Sequence, residues 1–204
     1  ALPQLLRRWR VLALVREPEE HLRALGVLQI RGDLDDAATL RRLSGLADAV
    51  LHSAPPTEKG TADRRTRRLI AALRRGRTLP RSLIYISTSG VYGDCGGAAV
   101  TETTPLHPHT ARARRRVDAE RLLRGFGRQS ACHVSILRAP GIYAAERLPL
   151  ERLRRGDPLL DPAEDVFTNH IHADDLAGAC IAALRHGRAN RVYHASDDLA
   201  LPMG

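Results

Sequence analysis

Apolar residues in this chain come as short β-branched runs separated by amphipathic stretches, a pattern that predicts strands alternating with helices. Residues 1–9 have helical spacing, and Arg10 to Arg16 reads as a buried strand. A short helix over 18–25, a strand over 27–31 and a turn at Gly32-Asp33-Leu34 follow. A helix over 35–43 then leads to a strand over 49–53, the segment Ala54-Pro55-Pro56 and a long basic helix over 63–75. The run Ile84-Tyr85-Ile86-Ser87-Thr88-Ser89-Gly90-Val91-Tyr92-Gly93-Asp94 is a strand ending abruptly in three adjacent hydroxyls. Beyond the Gly96-Gly97 loop come a helix over 110–126 and a strand over 133–138 that ends in Ala139-Pro140-Gly141-Ile142-Tyr143. The last third holds a helical stretch over 150–155, a turn at Gly156-Asp157-Pro158, the stretch Asn169-His170-Ile171-His172, a helix over 174–185 and a strand over 192–195.

Alternation of this kind indicates βαβ units and a doubly wound parallel α/β sheet. At 204 residues, without internal repeat, low-complexity tract or linker, the chain reads as one domain over 1–204. In open α/β sheets ligands sit at the carboxyl edge, so the hydroxyls at Ser87, Thr88 and Ser89 are the first candidates for chemistry. A Ser/Thr turn closing a buried strand is the alternative.

Composition narrows the partners. The net charge of +9 invites a nucleic-acid reading, yet 31 of the 32 basic residues are Arg, with Lys59 the single Lys. The densest clusters, around Arg64 to Arg68 and Arg114 to Arg116, sit on helical patterns with apolar opposite faces, and aromatics for base stacking make up only 3%. They read as solvated helix faces, with no nucleic-acid partner expected. No apolar run reaches the roughly 20 residues that a membrane span needs. No signal-peptide pattern opens the chain. Cys95, Cys132 and Cys180 are scattered without CxxC spacing, which points to a reducing cytoplasm and to neither a disulfide framework nor a metal site.

The hydroxyl strand with its Gly-Val-Tyr-Gly continuation resembles the active-site strand of the extended short-chain dehydrogenase/reductases, the nucleotide-sugar epimerases and dehydratases. Further segments match in order, so the resemblance covers nearly all of the chain. It implies a Rossmann-like fold, a nicotinamide dinucleotide, and Thr88 as the hydroxyl that polarises the substrate. It matches the strand at 11–16 to the one whose end meets the adenosine ribose. There Arg16 favours NADP over NAD, because a guanidinium suits the extra phosphate; the alternatives are a solvated strand end beside Glu17.

By the same resemblance Asp33 and Leu34 hold the adenine, with an Asx turn as the other reading of Asp33. Ser53, Ala54 and Pro55 let the dinucleotide lie close to the backbone, Ser87 joins the cofactor site, and the stretch Pro140 to Tyr143 is a loop in which Pro140, Gly141 and Ile142 contact the nicotinamide end. Residues 144–172 contribute to a small substrate-side region. In the stretch from Asn169 to Leu176, Asp174 is expected to cap the following helix. His170 and His172 are expected to face opposite ways, which speaks against a shared metal site.

The departure falls on the long helix over 110–126. The family places a Tyr and a Lys one helical turn apart there, and counting back from Ala119-Glu120 puts them on Arg112 and Arg116. A guanidinium does not deprotonate, so Arg112 cannot serve as a general acid or base, whereas Arg116 can still hold the nicotinamide ribose. The chain thus resembles the atypical branch of the family, with Tyr92, His107 and His109 as candidates for the proton carrier.

No strand and Gly-rich turn precede residue 1, so the resemblance implies a fragment lacking the central first strand, with Met203-Gly204 read as an early stop. The activity expected is that of an NAD(P)-dependent oxidoreductase or epimerase/dehydratase acting on a small molecule, a nucleotide-linked sugar being the leading class. The alternative is a non-catalytic dinucleotide-binding sensor on the same scaffold. Assembly into a homodimer is left open.

Overall fold

In the computed structural model, residues 2–148, 150–156, 158, 161 and 165–202 are described. Asp157 of the expected turn and Met203-Gly204 lie outside them. The elements are α1 (Leu2–Leu6), β1 (Leu12–Val15), α2 (Glu20–Ala24), β2 (Leu28–Arg31), β3 (Ala49–His52), α3 (Arg64–Leu73), β4 (Ser82–Thr88), α4 (Ala111–Arg128), β5 (His133–Ala139), β6 (Gly141–Tyr143), α5 (Leu150–Arg155), β7 (Phe167–Thr168), β8 (His170–His172), α6 (Ala173–His186), β9 (Arg191–His194) and β10 (Leu201–Pro202).

The main sheet is parallel in the order β3-β4-β5-β9. Side-chain alternation along β4 builds a core on each face. Leu83 and Tyr85 pack with Leu69, Ile70 and Leu73 of α3 and with Ala119, Leu123 and Phe126 of α4. Ile84 packs on the other face with Leu176 and Cys180 of α6. Helices on both faces make the fold a doubly wound α/β one, as the sequence pattern predicts.

A second parallel ladder, β1-β2, has its own small core of Val15, Leu22 and Val27. The two ladders are not hydrogen-bonded to each other, so β1 and β3 each have one strand neighbour.

Three expectations change. The helix predicted over 35–43 shrinks to a 3-10 turn at Thr39–Leu43. Polar side chains take over the backbone before it: Asp33 accepts from the Asp35 N–H, Asp36 from the Ala38 N–H, and the Thr39 hydroxyl accepts from the Asp33 N–H. The segment after β5 is strand rather than loop, because β6 pairs with β8 in parallel, Gly141 opposite His170 and Tyr143 opposite His172. Finally, α6 starts one residue early, so His172 Nδ1, not the Asp174 carboxylate, caps it by accepting from the Asp174 N–H at 3.3 Å.

Candidate active site

The carboxyl ends of β4 and β5 meet with Thr88 opposite Ala139. A 3-10 turn over Ser89–Tyr92 follows Thr88, whose half-buried hydroxyl accepts from the Gly90 N–H at 3.2 Å. Among the described residues that hydroxyl has no acceptor for its own hydrogen. Ser87, one residue earlier, faces inward: it is 3% exposed and donates to Glu120 at 2.6 Å. Its hydroxyl is a framework contact.

Beneath the edge Glu120 takes a bidentate pair from Arg138, at 3.1 Å from Nε and 2.7 Å from an amino nitrogen. Arg138 also donates to the Tyr92 phenol at 2.7 Å, and Tyr92 lies 2.6 Å from His194 Nε2 and donates to the Thr101 carbonyl at 3.0 Å. Tyr92, 2% exposed, is thus saturated inside the fold, and burial pushes its phenol above the ordinary value. His107 and His109 are exposed and lie against Gly93, at the end of the same turn.

Arg116 reaches β4 from α4. It is 8% exposed and donates to the Tyr85 phenol at 3.0 Å and the Ile86 carbonyl at 2.9 Å. Its Nε is buried without a partner, as is that of the neighbouring Arg115, which donates to the Gly60 carbonyl at 2.6 Å. Tyr85 stacks on His52, whose Nε2 is 2.8 Å from the Thr66 hydroxyl. Burial lowers the His52 pKa to about 4 and raises that of Tyr85 to about 12. Arg112, one turn before Arg116, is exposed.

At the other end of the edge, Arg16 follows β1 and is exposed. Asp33 forms the Asx turn described above, and Leu34 is half-buried against the core. Ser53 and Pro55 are exposed and Ala54 half-buried, and the Pro55 carbonyl accepts from Arg65. Arg65 also grips Asp35 through Nε at 3.0 and 3.1 Å, holding that carboxyl below its usual pKa, with Arg68 and Arg16 adding to the effect. Pro140 and Ile142 are half-buried and Gly141 exposed beyond β5.

His170 and His172 do not face apart. Residues two apart on a strand share a face, and both rings meet Tyr143 edge-on, at 6.3 and 5.2 Å between centroids. Tyr143 donates to Asp197 at 3.0 Å, which raises its pKa. Among the described residues no His, Cys, Asp or Glu group is arranged to hold a metal ion. No helix among them is long and apolar enough to cross a membrane.

The residues that sequence reasoning passed over are Arg138 and Glu120. A lone Arg in the apolar run at 133–138 was the available signal for a buried ion pair.

A sequence model described as the NAD dependent epimerase/dehydratase family matches residues 2–196. Comparison with curated proteins gives no match. Among solved structures, the chain is similar to a UDP-glucuronic acid 4-epimerase from Bacillus cereus in complex with NAD, with a TM-score of 0.80 at 19% identity over 99% of this chain and 74% of that one. RMD from Pseudomonas aeruginosa complexed with NADPH gives 0.74 at 22% over 99% and 75%. DesIV, a dTDP-glucose 4,6-dehydratase from Streptomyces venezuelae with NAD and TYD bound, gives 0.74 at 25% over 95% and 67%.

Proposed function

The chain belongs to the NAD-dependent epimerase/dehydratase family, and on that premise we propose that it binds NAD or NADP and acts on a nucleotide-linked sugar. Two of the similar structures hold NAD and one NADPH, and two are named as nucleotide-sugar enzymes. The observation that carries the reading is Thr88, a half-buried hydroxyl at the carboxyl edge that among the described residues accepts from the Gly90 N–H and donates to none.

The residues present fit a dinucleotide. Arg116 Nε is a buried donor lacking an acceptor, suited to the nicotinamide ribose. Arg16 offers a guanidinium for the 2′-phosphate of NADP, while Glu17 beside it is paired with Arg31 at 2.8 Å. Asp33 Oδ2, which has no hydrogen-bond partner among the described residues, suits the adenine amino group, with Leu34 beside it, whose carbonyl accepts from Arg68. Exposed Ser53 and Pro55, with Ala54 between them, and Pro140, Gly141 and Ile142 across the edge offer a path of low side-chain bulk.

When bound, the nicotinamide supplies a hydride acceptor or donor. Thr88 donates to the sugar oxygen on which charge develops. Tyr92 is enclosed, so it acts by holding Arg138 and the turn after β4, and proton exchange falls to exposed groups such as His107 and His109. The described residues between 144 and 172 are assigned to the substrate side. Three free cysteines fit a reducing cytoplasm.

Thr88→Ala tests the reading. Turnover of a nucleotide sugar should fall by about 10²-fold or more, the usual effect of losing one such donor, while NADP affinity measured by titration stays near wild type. Parallel loss of both assigns Thr88 a structural role, and tight NADP binding without turnover of any nucleotide sugar marks the protein as a sensor.

A further inference from the structure

The turn after β2 and the segment after β3 belong to different ladders, and no strand pairing joins them. Arg65, in the first turn of α3, bridges the two with all three of its guanidinium nitrogens. Nε reaches the two Asp35 oxygens at 3.0 and 3.1 Å, and one amino nitrogen donates to Asp35 as well. The other amino nitrogen donates to the Pro55 carbonyl at 3.0 Å. Arg68, nearly one helical turn on, adds a bond to the Leu34 carbonyl at 3.3 Å. The helix that carries them is firmly capped, because buried Asp63 accepts from both the Thr66 N–H and the Thr66 hydroxyl. The Arg65 side chain is 22% exposed, so its pair with Asp35 is better shielded than one lying open to water.

Its place along α3 decides what the bridge can do. β3 and β4 are parallel, so α3 runs back from the carboxyl end of β3 to the amino end of β4. Arg65 therefore stands at the carboxyl edge. The far end of α3 is pinned to the segment between β2 and β3 by other contacts. There the Ser44 hydroxyl donates to the Ala72 carbonyl at 2.9 Å, and a Cβ on Gly76 would lie 2.6 Å from the Gly45 backbone nitrogen. Loss of Arg65 leaves that end in place and frees the carboxyl edge to open about it.

We infer that Arg65 is a positioning residue for the dinucleotide, fixing the distance between the turn at 33–35 and the segment at 53–55 on which the adenosine end lies. The inference rests on the proposed function. Arg65 acts through Asp35 and the Pro55 carbonyl, with its fork directed at protein acceptors and not at the ligand. Asp35 is the other half of the bridge, and this inverts its expected effect. A carboxylate near a ligand that carries phosphates ordinarily weakens binding by repulsion, whereas here its loss should weaken binding by opening the edge.

Calorimetric titration of NADP into wild type, Arg65→Met, Asp35→Ala and the double variant tests this. Each single variant should bind about tenfold more weakly, the size of one charge-assisted bond. The double variant should bind no more weakly than either, because both changes break the same bridge. Arg65→Lys, which keeps the charge and loses the fork, should recover part of the loss seen in Arg65→Met. Asp35→Asn carries the expectation of Asp35→Ala at smaller size, so the test stands if either larger change fails to fold. Unchanged or tighter binding in the Asp35 variants overturns the inference, since the carboxylate then only repels phosphate. Losses that add in the double variant overturn it too, by giving Arg65 a separate contact with the ligand. Wild type that binds no NADP overturns the functional reading, and this inference with it.

Discussion

Arg138 and Glu120 face each other as a fully enclosed, two-pronged ion pair, each side chain 3% exposed, joining β5 to α4 beneath the carboxyl edge of the sheet. Ser87 adds a third bond to the carboxylate, and the guanidinium stacks on the Tyr92 ring at 4.9 Å. Neither charge is presented to a ligand. The pair ties together the end of β4, the turn after it and the helix that bears Arg112 and Arg116.

Glu120→Ala should therefore be severe, since it strands the Arg138 charge in the interior. Loss of one partner of a buried pair typically costs about 3–5 kcal/mol, to be read from urea unfolding. The double variant Glu120→Met/Arg138→Leu should lose less than the two single changes summed. A single-variant loss below about 1 kcal/mol would mean that water reaches the pair.

His52 makes stability pH-dependent. Its folded pKa is depressed by burial from 6.5 to about 4, so between those values the unfolded chain binds a proton that the folded one does not. Stability should be full above pH 6.5, fall as the pH drops towards 4, and lose up to about 3 kcal/mol in all from this group. Denaturant midpoints between pH 7 and pH 4 should show the slope, and His52→Gln should flatten it.

Gly93 is required by both its angle and its surroundings. Its φ is 76°, and a Cβ there would lie 2.1 Å from the His107 carbonyl oxygen. Gly93→Ala should lower stability by more than the roughly 1–3 kcal/mol expected for backbone strain alone, seen as a drop in Tm. It should also shift the loop that carries His107 and His109.

Arg16→Ala should weaken NADP more than NAD by roughly 1–3 kcal/mol, the size of a charge-assisted hydrogen bond. Titrating both dinucleotides into both proteins gives the preference ratio. An unchanged ratio would leave Arg16 as a solvated strand end.

Strand positions were legible in the sequence because β-branched runs have few other readings, and Thr88 stood out as a hydroxyl closing such a run. The 35–43 segment was not, because three competing polar side chains, Asp33, Asp36 and Thr39, satisfy its backbone locally. The β6-β8 pairing escaped because three-residue strands carry too short a period, and its partners lie 29 residues apart, Gly141 opposite His170. The enclosure of Tyr92 depends on Arg138, 46 residues away, a relation that no local pattern encodes.

The separation of the β1-β2 ladder from the β3-β4-β5-β9 ladder gives the molecule two mechanical parts of unequal strength. The larger owns the wide cores on both its faces, while the smaller rests on three buried residues and is laced to the rest by contacts such as Asp35 with Arg65 and the Ser44 hydroxyl with the Ala72 carbonyl. Arg16 and Asp33 ride on the smaller part, and Thr88, Arg116 and Gly141 on the larger. A dinucleotide reaching from one set to the other, as proposed, would act as a splint. Amide exchange in β1 and β2 should then run ahead of that in β4 and β5 in the free protein, and slow markedly once the ligand spans the two.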